Sequence, residues 1–230
     1  MQIVKAAEFD NQVKQLRAAC KEKNQAPQRL AQLLLERLQA EGYTYDSTVL
    51  EVVYAWRGYE SETSAQSAAP FVQTNALIDA VLEFADYKPM LRAVLYLIRA
   101  ELAHEQGHLQ PAAEAFAEAV DELHALHLDI DHKRIYAMLH FGLTLLAQGN
   151  KRDAEKLFLD VLSYPWFLVM ESDVQALLRD YYVKAALGLI ECRRGDLAAL
   201  EEIFFVPATH DELLPYLQRA IEEAGGRLNR

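Results

Sequence analysis

The sequence predicts an all-α protein built from antiparallel helical hairpins, and three observations lead there. Residues 135 to 166 hold two segments of apolar periodicity separated by a Gly149-Asn150 break, the layout of a helix, a turn and a second helix. Two weaker copies of that layout flank it, one on each side. Ahead of them, apolar residues recur at the three-and-four spacing of amphipathic helices, punctuated by caps and breakers. The resulting plan is an N-terminal helical unit over 1–60, a loop or hinge over 61–70, helical hairpins over 71–206 and a C-terminal capping helix over 207–230.

Phe9, Val13, Leu16 and Cys20 lay one stripe along a helix of residues 2–23. Ala26-Pro27 opens a second helix, since proline is tolerated in a first helical turn. Leu30, Leu33, Leu34 and Leu38 supply its inner face and Gly42 stops it. Thr48 with Glu51 reads as the capping box of a third helix carrying Val49, Val52, Val53 and Trp56. Glu60 to Pro70 lacks apolar periodicity and has loop composition, which makes it the expected hinge. Thr74 or Asn75 is expected to cap a fourth helix, with Leu77, Ile78, Val81, Leu82 and Phe84 inward, ending before Pro89.

From Met90 onward the pattern is a repeated hairpin. Ala100, Gly107, Ala112, Phe116 and Ala119 stand at the same relative positions as Gly142, Gly149, Ala154, Phe158 and Val161. Gly188, Gly195, Leu200 and Phe204 hold four of those positions again. Small residues let two antiparallel helices approach, the second glycine supplies the turn, and the phenylalanine fills the gap between neighbouring hairpins. Over residues 90 to 206 this phased set resembles the tetratricopeptide repeat. It departs from that family in copies 42 and 46 residues apart, against a family period of about 34, and in Leu200 and Pro207 where small residues are expected. The resemblance implies a superhelix of helix pairs whose first helices line a concave groove for a peptide or protein segment. Beyond Pro207, Leu214, Leu217, Ile221 and Ala224 make one stripe backed by polar residues, as the helix covering the end of a repeat stack requires.

Composition narrows the function. A formal charge of −11 and a pI near 5.1 disfavour a phosphate-backbone partner, so no nucleic acid is expected. With 52% apolar residues, nine glycines and seven prolines, the chain has the means to bury a core. Cys20 and Cys192 form neither a metal-ligand pair nor a disulfide framework, and the N-terminal residues lack a signal-peptide core. No apolar stretch approaches a membrane span. These features predict a cytoplasmic protein; a homodimer is compatible with them.

Three constellations bear on chemistry or contact. His104-Glu105-Gln106-Gly107-His108 matches the HExxH pattern, whose zinc chemistry needs both histidines one turn apart on a single helix. Gly107 stands at the turn position, so the helix is expected to end before His108 and the zinc-dependent enzyme becomes the least favoured reading. His124, His127, Asp129, Asp131 and His132 suggest a metal site, against the plainer reading of a helix C-terminus followed by an Asp131 N-cap. Tyr164 to Met170 is an apolar connector; it either fills core or offers Trp166, Phe167 and Met170 as exposed contact anchors. Ser172 with Gln175 caps the helix after it.

Laid on the family's groove, the repeat phase selects Val94, Leu97, Glu101 and His104, then Tyr136, Leu139, Leu143 and Leu146, then Tyr182, Ala185, Leu189 and Arg193. The carboxylate-gripping Lys, Asn and Arg set of the family's chaperone-binding members is absent from these positions. An apolar groove of this kind accepts an amphipathic helix or strand, or is filled by the protein's own N-terminal helices; both readings stand. The favoured expectation is a non-enzymatic protein- or peptide-binding scaffold without a cofactor, with a peptide-sensing regulator as the alternative.

Overall fold

The computed structural model describes residues 26–41, 46–63, 71–85, 88–126, 132–164 and 172–193, together with residue 11. Eight helices stand among them, and they pack mostly with their chain neighbours in antiparallel pairs. The chain divides into two compact units, 1–102 and 103–230. The expected helix over 2–23 apart from residue 11, the connector 165–171 with Trp166, Phe167 and Met170, and the expected capping helix over 207–230 lie outside the described residues.

The first unit contains α1 (Ala26–Glu41), α2 (Asp46–Thr63), α3 (Val72–Leu82) and α4 (Pro89–Glu105) as far as Leu102. Prolines open α1 and α4 where their missing N–H costs nothing, because the first turn of a helix leaves those groups unbonded. Val49, Val52, Val53 and Trp56 lie along one face of α2 and are buried, so this helix is core, as its apolar face predicts. Leu34, Ile78, Leu95, Ile98 and Leu102 complete the same cluster.

Two expected boundaries move. α2 begins at Asp46, which puts Thr48 inside the first turn instead of at the cap, and it runs on through Glu60 to Thr63. α3 begins at Val72 behind Phe71, so neither Thr74 nor Asn75 is its cap. Phe71 stands at φ 65°, ψ 19° and offers no side-chain acceptor. Glu60 supplies one from the preceding helix: its Oε1 accepts from the Gln73 N–H at 3.0 Å, and its Oε2 accepts from the Thr74 N–H at 2.8 Å and the Thr74 hydroxyl at 2.5 Å. Composition alone hid this, because Glu60 reads as the first residue of a polar loop.

The second unit holds α5 (Leu109–Ala125), α6 (His132–Ala147), α7 (Lys151–Leu162) and α8 (Ser172–Cys192). α5 packs on α6, α6 on α7, and α8 on both α6 and α7. The turns before α5 and α7 match bond for bond. His108 N–H donates to the Ala103 carbonyl and Asn150 N–H to the Leu145 carbonyl, both at 2.9 Å. Gly107 and Gly149, at φ 73° and 82°, take the left-handed conformation that these closures require. The sequence phase of the two copies is thus a structural repeat of this turn. Gly195, the third turn position, lies outside the described residues.

Phe158 occupies the gap that the phase assigned to it. A Cβ placed on Gly142 would come within 2.7 Å of its ring, and one placed on Gly188 would come closer still. One aromatic ring therefore sets the approach of α6 and α8 to α7.

Candidate binding surface

α6 carries a stripe of partly buried side chains that includes two residues of the expected groove. Tyr136, His140 and Leu143 stand four and three residues apart, hence on one helix face, and each is half-buried. The His140 ring lies 4.2 Å from the Tyr136 ring and 6.0 Å from that of Phe116 on α5, centroid to centroid. Tyr136 in turn sits 5.7 Å from Tyr181 of α8. Buried Phe116 and Tyr181 thus support a shelf whose Tyr136 and His140 rings reach the surface. Tyr136 and Leu143 belong to the expected groove set and His140 does not; its four-residue spacing from Tyr136 is the signal that places it beside them.

Other residues assigned to the groove fall into two groups. Leu139, Ala185 and Leu189 are completely buried, and Tyr182 is 6% exposed, so they hold the second unit together from within. Burial pushes the Tyr182 hydroxyl above its ordinary range. Leu97 and Val94 are likewise buried in the first unit. An isolated repeat phase cannot separate these from surface residues, because helix neighbours on both sides cover the same face.

The polar members keep contact with water. Arg193 donates from Nε to Glu155 Oε1 at 2.8 Å, joining the end of α8 to α7. Glu101 accepts from Arg57 Nη1 at 2.6 Å. Beside that pair, burial first and the Glu101 charge second hold the Tyr54 hydroxyl above its ordinary value, while Arg57 opposes them. His104 is exposed.

The residues bearing on metal chemistry are arranged as follows. α4 ends at Glu105, Gly107 turns the chain and His108 starts the approach to α5, so His104 and His108 do not share a helix face. His124 is exposed in the last turn of α5 and His132 opens α6; residues 127–131 between them lie outside the described residues. Among the described residues, no group of three or more His, Cys, Asp and Glu side chains is placed to share an ion. The Cys192 thiol is buried, and that burial, followed by the Glu155 charge, raises its pKa, so it is held as a weak nucleophile. No helix among the described residues is long and apolar enough to cross a membrane.

No protein-family model and no curated protein matches the chain.

Proposed function

We propose that this protein is a non-enzymatic, cytoplasmic scaffold of tetratricopeptide-like hairpins that binds a protein or peptide segment through the α6 shelf of its second unit. The carrying observation is the half-buried row Tyr136, His140 and Leu143 resting on buried Phe116 and Tyr181. Aromatic rings fixed from below lose little freedom when a partner covers them, and they retain apolar area to contribute at the centre of a contact. The repeated turn at Gly107 and Gly149 supports the repeat reading, since the same closure recurs at the same phase before two helices.

The test compares partner recovery from cell extract by wild type, Tyr136→Ala and Leu143→Ser, with thermal melts run on the same preparations. Loss of the same partner in both variants, with folding transitions still cooperative, supports the shelf as a binding surface. Unchanged recovery assigns these residues to the rim of the core and removes the proposal. Arg193→Ala, distant in chemistry from the apolar row, serves as the comparison.

A further inference from the structure

We infer that Glu60 and Phe71 form a conformational latch: the Glu60 carboxylate holds shut a strained first turn of α3 that is built to open by itself. Three observations combine. Phe71 is a bulky residue in the left-handed region, at φ 65°, where a side chain on Cβ is strained. It is nonetheless 8% exposed, its ring held in the core of the first unit. The turn that follows has no cap of its own, and all three hydrogen bonds it gains outside the helix end on one carboxylate, itself 6% exposed, from another helix.

An acceptor of negative charge is favoured at this place, because the free N–H groups of a helix start point outward with partial positive charge. Removing it leaves the Gln73 and Thr74 amides and the Thr74 hydroxyl without their acceptor and lets Phe71 relax toward ordinary backbone angles. Strain of this type persists only where surrounding contacts overrule it. Release therefore acts on the turn first. The open form would expose Phe71 next to Val72, which is already 58% exposed, making an adjacent apolar pair on the first unit.

Native-state amide exchange on the full chain tests this, reading Gln73 and Thr74 against Ile78 and Val81 in the same helix. In Glu60→Ala the first two amides should exchange roughly ten- to a hundredfold faster, the ratio expected for the loss of buried bonds to a charged acceptor. Ile78 and Val81 should stay within about threefold of wild type, since local opening leaves the rest of the helix protected. Thr74→Val, which removes only the hydroxyl donor, should give a smaller rise at the same two amides. If Glu60→Ala does not fold, Glu60→Gln carries the test, because its amide group offers one acceptor in place of two. An equal rise at all four amides makes Glu60 an ordinary contributor to overall stability and overturns the latch, as does an unchanged rate at Gln73 and Thr74.

Discussion

The ring of Phe158 lies against the backbone of Gly188 so closely that no side chain fits between them. Gly142 meets the same ring, with 2.7 Å between its would-be Cβ and the nearest ring carbon. Alanine at either glycine gains about 1 kcal/mol of helix propensity. It also forces apart close-packed helices, which costs about 1–3 kcal/mol. Because the ring tip is held against both α6 and α8, the clash outweighs the propensity. Gly142→Ala and Gly188→Ala should each lower the unfolding free energy by up to about 2 kcal/mol, measured by denaturant titration. Adding Phe158→Leu should recover part of the Gly188→Ala loss, and a simple sum of the two losses would show that the contact is not the cause.

The matching turns give a second comparison. Gly107 and Gly149 both sit at positive φ, and a Cβ at either would meet nothing within 4 Å. Only backbone strain opposes alanine there, at about 1–2 kcal/mol for a residue forced into the left-handed region. Gly107→Ala and Gly149→Ala should therefore destabilise by equal amounts within about 0.5 kcal/mol, as read from chemical denaturation. A much larger loss at one turn would mean that the two are not equivalent in energy, despite equivalent hydrogen bonds.

How far the sequence reached follows from these same residues. A turn glycine, a small residue at a helix crossing and the phenylalanine between them each express a local demand, so the phase of the first two copies could be read directly. The bonds of Glu60 to Gln73 and Thr74 could not, because a carboxylate capping a helix from another helix leaves no fixed spacing in the chain. Buried and half-buried members of the expected groove look alike in the sequence for a related reason. Leu139 and Leu143 stand one helical turn apart with the same chemistry, and only the packing of the folded unit buries the first fully and the second in part.

Asn150 and His108 occupy the same place in the two turns, with φ and ψ within a few degrees of each other, yet only Asn150 caps its helix. Its side chain accepts from the Asp153 N–H. The equivalent position after His108 is Pro111, which has no N–H to give. Asn150→Ala should therefore cost about 1 kcal/mol. His108→Asn should change stability by less than about 0.5 kcal/mol, becoming stabilising only when combined with Pro111→Asp. Thermal melts of these three variants distinguish this from a general preference for asparagine, under which His108→Asn alone would stabilise.

Alkaline pH provides the last test, through Tyr182 and Cys192. Burial raises the pKa of the Tyr182 hydroxyl above 10.0 and that of the Cys192 thiol above 9.0, their ordinary values. Both are acids whose neutral form is favoured in the folded protein, so the unfolded chain releases its protons first as pH rises. The stability linked to each is whole below its ordinary value and is lost as pH climbs through the folded one. Melting temperature should fall with pH from about 9 upward, the thiol acting first and the hydroxyl above about 10. Cys192→Ala should flatten the first part of that fall, and Tyr182→Phe the second. The slopes carry the information, because each substitution also changes packing at neutral pH. Parallel curves for wild type and Tyr182→Phe above pH 10.0 would mean that the hydroxyl ionises as readily in the folded protein as in the unfolded chain, and would contradict its place in the core.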